Sequence, residues 1–314
     1  MTRYVLCCIV VLFFISCKKK KNISTECSSQ IYGYAIPKNS GGVQSCSFGA
    51  VNTSTASITP FATFPAIMER KSAFNSNDNC YYIYLDDFYK IGQDGKTTVL
   101  ESADSMYFDA LVYNNYNNKF YAIGASSLIE IEVNGNKYTE KRVAHFIHSS
   151  YYSSLTVDNN GDVYYITQDY DTVHPDRNYY YIEKYHPGNL SSTVVASDGS
   201  QRPIFSILGL EFNKNDNMLY ALRQSSTELA MQLIRIDPVK GTITRPINKF
   251  LFPIFIDAGN CSTCIDPCTN RYIISQYDQT TGTATLDQID MTGAIVQHNE
   301  TNFIFMGLSA KQTN

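Results

Sequence analysis

LEFNKNDNMLYAL, Leu210 to Leu222, decides the fold. Leu210 and Phe212 alternate with polar positions, Asn213 to Asn217 is turn chemistry, and Leu219 to Leu222 resumes a β-rich run, so the stretch predicts a short β-hairpin. The pattern returns roughly every ~40 to 55 residues, the spacing of a repeat architecture. Its copies are SAFNSNDNCYYIY (Ser72–Tyr84), LVYNNYNNKFYAI (Leu111–Ile123), LTVDNNGDVYYI (Leu155–Ile166) and TCIDPCTNRYIIS (Thr263–Ser275). One more copy is split across the termini, with MGLSAK (Met306–Lys311) as first strand and QIYGYA (Gln30–Ala35) as second.

Each copy is followed by a second hairpin, as in LIRIDPVKGTIT from Leu233, LDQIDMTGAIV from Leu286 and LIEIEVNGNKY from Leu128. The remaining three begin at Tyr89, Ile182 and Phe48. Four strands per unit and six units predict an all-β chain, a six-bladed β-propeller with four-stranded blades over residues 27–314. Blades bury their faces only against neighbours, so the ring must close, and the split copy predicts closure by pairing of the N- and C-terminal strands. No linker divides the ring into further domains.

Residues 1–16 read as a leader: Arg3, then an apolar run from Tyr4 to Ile15. As a helix that run rises only about 18 Å, short of a hydrocarbon core of about 30 Å. FISC, Phe14–Cys17, resembles the lipobox of bacterial lipoproteins, with Phe14 where that motif prefers leucine. The resemblance implies acylation of Cys17, a membrane-anchored chain of the cell envelope, and residues 17–26 as a basic linker. An ordinary signal peptide is the alternative. Lys18 to Lys21 would sit beside an anionic surface. Lysines there, where surface-exported lipoproteins of some bacteria carry acids, favour a periplasm-facing anchor.

The whole chain carries a net charge of −4; without Arg3 and Lys18–Lys21, 20 basic residues face 29 acidic ones, a balance of −9. An acidic domain without a basic stripe argues against nucleic acid as partner, and nothing in the pattern predicts more than a monomer. Beyond the leader and Cys17 six cysteines remain: Cys27, Cys46, Cys80, Cys261, Cys264 and Cys268. They allow 15 pairings, and an oxidising compartment suits them. The run Cys261–Cys268 overlies an inner hairpin, so structural thiols or disulfides compete there with a metal or redox site. His145 and His148, three apart in a run that reads as strand, would point to opposite faces. His174 and His186 lie in or near the longest insertion, Gln168 to Asn178. The turn Asp158–Asp162 suggests the start of a calcium loop, but Val163 and Asp169 stand where an EF-hand needs Gly and Glu, so it reads as turn chemistry.

The chain has 24 Tyr and 17 Phe but no Trp, which excludes WD40 repeats and other propellers whose motifs rest on that residue. The inner-strand pattern and the L-x-x-I-D turn resemble the loose group of NHL, YVTN and SMP-30-like propellers. Longer connections, Ile36–Ser45, Gln168–Asn178, Arg223–Met231 and Asn248–Ile256, should share one face, where binding surfaces lie. The inner strands begin there with Glu69, Arg70, Asp109, Ser153, Asp257 and Asn260. Two functions follow. One is a binding or scaffold module for an envelope protein or glycan, with Tyr151 and Tyr179–Tyr181 as contacts. The other, implied by the SMP-30 resemblance, is a lactonase-type hydrolase in which Glu69, Asp109, Asp257 and Asn260 would hold calcium, magnesium, manganese or zinc.

Overall fold

The computed structural model describes residues 27–38, 45–65, 72–85, 87–102, 107–124, 126–148, 154–170, 178–198, 204–225, 230–245, 250–251, 261–278 and 280–313. They form six antiparallel sheets. Blade 1 holds β1 (Ser28–Pro37), β2 (Ser45–Asn52) and β3 (Ser57–Pro65); blade 2 holds β4 (Ser72–Asn75), β5 (Cys80–Tyr84), β6 (Phe88–Ile91) and β7 (Thr97–Leu100). Blade 3 holds β8 (Ala110–Asn114), β9 (Lys119–Gly124), β10 (Ser127–Asn134) and β11 (Lys137–His145); blade 4 holds β12 (Leu155–Val157), β13 (Val163–Tyr170), β14 (Asn178–His186) and β15 (Ser191–Asp198). Blade 5 holds β16 (Ile204–Asn213), β17 (Met218–Ser225), β18 (Ala230–Asp237), β19 (Thr242–Thr244) and β20 (Phe250–Leu251); blade 6 holds β21 (Cys261–Asp266), β22 (Arg271–Asp278), β23 (Thr283–Asp290) and β24 (Ile295–Thr301). The final strand, β25 (Phe303–Thr313), pairs with β1 and completes blade 1 from inside.

The inner strands β4, β8, β12, β16, β21 and β25 touch in that order, and β25 returns to β4, so the ring is closed. This is the expected six-bladed propeller, with closure from Ser28↔Thr313 to Pro37↔Phe303. Blade 5 departs from the four-strand expectation. Its outer strand comes in two pieces, β19 on Arg235–Asp237 and β20 on Ala230–Met231.

The second strands are apolar almost without interruption because both their faces are buried. Period-two alternation sends successive side chains to opposite neighbours. In β17, Leu219 and Ala221 join the cluster between blades 4 and 5, while Tyr220 and Leu222 join the one between blades 5 and 6. Tyr81 and Ile83 of β5 face blade 1, and Tyr82 and Tyr84 face blade 3. Among the described residues each of the six interfaces has its own apolar cluster. Tyrosine supplies the bulk that the absent tryptophan supplies in other propellers.

The first hairpins turn at one rim, here the turn rim, and share a construction. Side-chain oxygens of Asn75, Asn114, Asp158, Asn213 and Asp266 accept N–H groups two residues on. Each turn then passes a left-handed residue: Asn79, Asn118, Gly161, Asn217 or Asn270. Asn tolerates that conformation where most side chains do not. The Asp158 turn is therefore turn chemistry, as expected, with Asp158 Oδ1 accepting the N–H of Asn160 at 2.8 Å and of Asp162 at 3.0 Å.

These turns are stitched to one another around the whole ring. Asn77 donates to Asn118, Asn114 to the Gly161 carbonyl, Asn159 to Asn217 and Asn213 to Asn270. Ser29 donates to Asp266 at 2.5 Å, and Lys311 donates to Asn79. Burial works against the charge on Asp266, but hydrogen bonds from Ser29, Thr269 and two backbone N–H groups hold its carboxyl below its ordinary value. The Cys27–Cys268 disulfide, Cα–Cα 5.4 Å, reinforces the seam between blades 6 and 1. Cys46, Cys261 and Cys264 are buried thiols, and Cys80 is a partly buried one.

The opposite rim, here the loop rim, carries the connections between second and third strands and those between blades. The described ends of Ile36–Ser45, Gln168–Asn178 and Arg223–Met231 fall on it, whereas residues 39–44, 171–177, 226–229, 246–249 and 252–260 lie outside the described residues. The insertion in blade 4 is shorter than predicted: Gln168, Asp169 and Tyr170 belong to β13 and pair with Tyr180, Tyr179 and Asn178. His186 lies at the far end of β14, against Asp162, and not near that insertion. His148 lies beyond β11, which ends at His145.

Candidate functional site

The inner strands surround a central cavity of about 420 Å³ that opens at the turn rim. Two glycines shape its wall. Gly209 in β16 and Gly307 in β25 have φ of +65° and +58°, each beside a break in register with the second strand. A Cβ on Gly209 would collide with the Tyr272 hydroxyl and lie 2.6 Å from Thr263 Cγ2; one on Gly307 would collide with Ser72. The Tyr272 hydroxyl donates to the Gly209 carbonyl, and the Tyr81 hydroxyl to that of Gly307. Ladder N–H groups freed by the bulges find hydroxyls of the preceding blade: Gly209 on Ser154 at 3.1 Å, Phe212 on Thr156 at 3.0 Å and Leu308 on Ser262 at 3.0 Å. The bulges thus re-aim inner-strand side chains without leaving those donors bare.

The bulge in β16 is followed by Glu211, a carboxyl lining the cavity. Thr263 Oγ1 donates to Glu211 Oε1 at 2.8 Å. Six inner strands enclose the cavity, and Glu211 is only partly exposed within it. Burial raises its pKa to about 8, against the opposing hydrogen bond from Thr263, so it is mostly protonated at neutral pH. Burial also pushes the neighbouring Cys264 thiol well up. Lys214 and Lys311 stand at the cavity mouth. Lys311 lies 5.5 Å from the centroid of the Phe74 ring. Lys214 is exposed at the mouth, with no hydrogen-bond or ion-pair partner among the described residues.

A second constellation lies at the loop rim between blades 3 and 4. Glu183, fully buried on β14, accepts the N–H groups of Ile147 and His148 at 3.2 Å each and the Thr167 hydroxyl at 2.6 Å. This pins the connection leaving blade 3. His148 Nδ1 donates to Asp169 Oδ2 at 2.5 Å, and its ring stacks on Tyr181 with centroids 3.6 Å apart and planes 8° apart. Tyr179 and Tyr181 are half-buried at this rim, whereas Tyr180 turns into the core between blades 4 and 5. Beside it, buried Arg223 donates to Asp198 Oδ2 at 2.8 Å, with Arg245 3.7 Å from the other oxygen.

Of the residues expected at the channel mouth, Glu69, Arg70, Asp257 and Asn260 lie outside the described residues, as do Cys17, Lys18–Lys21, Tyr151, Ser153 and His174. Asp109 is exposed at the loop rim just before β8, its N–H on the Ile123 carbonyl at 2.7 Å. A divalent-ion site built on the expected set therefore has one described member. Among the described residues no three His, Cys, Asp or Glu side chains form a metal cluster.

Sequence reasoning missed Glu211, Lys214 and the His148–Asp169–Tyr181 group. One signal for Glu211 was present: the paired segments MGLSA and LGLEF place Ser309 and Glu211 at matching positions, and a carboxyl on an inner strand has no role in the repeat. His148 left no such signal, because its partners are 21 and 33 residues away.

No family model matches this sequence, nor does any curated protein sequence. Solved structures share the fold. In the nidogen/laminin complex, a chain superimposes with TM-score 0.62 at 11% identity over 90% of this chain and 98% of its own length. TolB from Acinetobacter baumannii gives 0.62 at 10% identity over 91% and 67%. The calcium-binding protein regucalcin from Agrobacterium tumefaciens gives 0.51 at 11% over 75% of each. At such identities the likeness establishes the architecture alone.

Proposed function

We propose that the protein is a cell-envelope binding module: a propeller held to a membrane by lipid on Cys17, facing the periplasm, that engages a protein or glycan partner with its loop rim. The observation that carries this reading is the His148–Tyr181 stack. Asp169 fixes the imidazole and Glu183 fixes the backbone beneath it, so a half-buried aromatic ledge is already ordered before any partner arrives. Rigid aromatics lose little freedom on binding, which is why they anchor interfaces.

The tether geometry supports the same reading. The disulfide at Cys27 fastens the start of the ring to the turn rim. Ten residues back to Cys17 span at most about 35 Å. A lipid there would keep the turn rim toward the membrane and leave the loop rim facing outward. Lys18–Lys21 would each add about 1 kcal/mol at an anionic surface.

Two measurements test this. Photo-crosslinking in intact envelopes, from a photoreactive residue at position 179, should yield an adduct that Tyr181→Ala abolishes without changing the melting temperature by more than a few degrees. An adduct unaffected by Tyr181→Ala, or none at all, overturns the role of the ledge. Metabolic labelling with palmitate should mark the wild type and not Cys17→Ser; equal labelling of both overturns the anchor.

A further inference from the structure

The three most exposed large apolar side chains among the described residues all stand on the turn rim: Val239, 92% exposed, Tyr116, 74%, and Leu190, 64%. Tyr116 tips the first hairpin of blade 3. Leu190 and Val239 tip the turns between third and fourth strands in blades 4 and 5, which strand alternation brings to the same rim. Scattered apolar residues are normal on a surface, but Leu190 is held at a cost. The corresponding turns of blades 2, 3, 5 and 6 use Gly95, Gly135, Gly241 and Gly293 as the left-handed residue, whereas blade 4 places Leu190 there at φ +50°. Ala56 of blade 1 shares the conformation but is buried. A bulky side chain is strained in that region, and Leu190 gains no burial in return, a combination that marks function.

The charges on this rim divide in the same direction. Among its carboxylates, Asp216 accepts the Met218 N–H at 3.1 Å, Asp237 those of Val239 and Lys240 at 3.0 Å each, and Asp290 that of Thr292 at 2.9 Å. Lys137, Lys214 and Lys240, by contrast, are exposed. Tyr116, Leu190 and Val239 belong to three consecutive blades. They face, across the ring, the Cys27–Cys268 seam between blades 6 and 1, where the ten-residue stretch from Cys17 ends.

We infer that the turn rim is itself a membrane-contact surface: it lies against an anionic bilayer, with Tyr116, Leu190 and Val239 dipping among the headgroups and the neighbouring lysines on lipid phosphates. For its orientation the inference rests on the lipid anchor proposed above. One tether holds the ring at a single point of its circumference and leaves its tilt free. Apolar tips on the far side supply a second point and level the rim. The separation of the tips selects the partner. A protein would need one contiguous apolar patch, whereas a bilayer takes up separate apolar tips and ammonium groups that share a level. Tyrosine, apolar in its ring and polar at its tip, suits that boundary.

The test exploits the absence of tryptophan from the chain. Val239→Trp places one reporter on the turn rim and Tyr107→Trp one on the loop rim, so that tryptophan's own preference for interfaces is common to both. Each full-length variant is reconstituted in vesicles of phosphatidylethanolamine and phosphatidylglycerol with brominated acyl chains, which quench tryptophan on contact. Position 239 should be quenched at least twofold more than position 107, and less in pure phosphatidylcholine. Leu190→Gly, which relieves the backbone strain, combined with Tyr116→Ser should reduce quenching at position 239 at least twofold while the melting temperature falls by no more than a few degrees. Equal quenching at both positions, none at either, or indifference to the double variant each overturns the inference. Quenching as strong in phosphatidylcholine overturns the choice of an anionic surface. Palmitate labelling reads the anchor separately: a labelled chain without quenching at position 239 sinks the docked rim and spares the anchor, whereas quenching in an unlabelled chain sinks the anchor and spares the rim.

Discussion

The two rims of this ring are built on opposite principles. At the turn rim five first hairpins repeat one solution, a side-chain-capped turn with a left-handed Asn or Gly, and a belt of hydrogen bonds plus one disulfide joins every turn to the next. At the loop rim connections differ in length from blade to blade, and order is imposed by singular buried groups such as Glu183 and the Arg223–Asp198 pair. Repetition serves stability, because each blade has the same neighbour problem to solve. On the binding reading proposed above, variation would serve recognition, because a partner needs one distinctive surface on a rigid scaffold.

The largest effect that would break this comparison lies in the closure itself. Deleting residues 303–314 removes the inner strand of blade 1, with the faces of β4 and β21 that it covers. The expected outcome is loss of cooperative unfolding by calorimetry; a sharp transition in the truncated chain would show that the ring need not close. Next comes the disulfide. It joins positions 241 apart, and removing it through Cys27→Ser with Cys268→Ser should cost about 2–5 kcal/mol. Denaturant titration checks this, and a loss under about 0.5 kcal/mol would mean that the hydrogen-bonded belt alone holds the turn rim.

Between the rims, Glu211 makes stability depend on pH. Its folded pKa, about 8, exceeds the unfolded value of about 4.3, so the folded state holds the proton longer. Its stabilising effect is complete below the unfolded pKa and is lost as pH rises toward 8, at a rate of up to about 1.4 kcal/mol per unit. Melting temperatures from pH 5 to 8 should therefore fall more steeply in wild type than in Glu211→Gln; parallel curves would mean that channel water solvates the carboxylate fully. The smallest effects sharpen the contrast directly. Asn217→Ala, at φ +58°, should cost about 1 kcal/mol and Asn217→Gly much less. Replacing residues 171–177 by a short Gly-Ser link should change stability by less than about 0.5 kcal/mol. If the loop replacement cost more than Asn217→Ala, the division of labour between the rims would be wrong.

Legibility in the sequence follows the same division. The turn rim could be read residue by residue, since Asn75–Asn79, Asn114–Asn118 and Asn213–Asn217 are local signals repeated at a fixed spacing. The insertion in blade 4 was drawn too long because Gln168 and Asp169 are polar and resemble loop. They are strand residues: His148 of blade 3 answers Asp169, whereas Gln168 is buried with its Oε1 lacking a hydrogen-bond partner among the described residues. The histidines were unreadable for the same reason: a strand period assigns faces, but it does not reveal that β11 ends at His145 and frees His148 to reach Asp169.

What the amino-acid sequence determined alone was the repeat, hence the blade number, the all-β class, the order of strands and the closure by split blade 1. The hairpins depend on interactions within about 15 residues and are reinforced by each copy, and the copy split between the two ends marks where the ring joins. Only the tertiary structure decided which of 15 cysteine pairings brings Cys27 to Cys268, why Gly209 and Gly307 are needed, and that Glu211, Thr263 and Lys214 line one cavity. These groups lie on different blades or at bulges, and their proximity arises when the ring closes, a long-range event that no local pattern encodes.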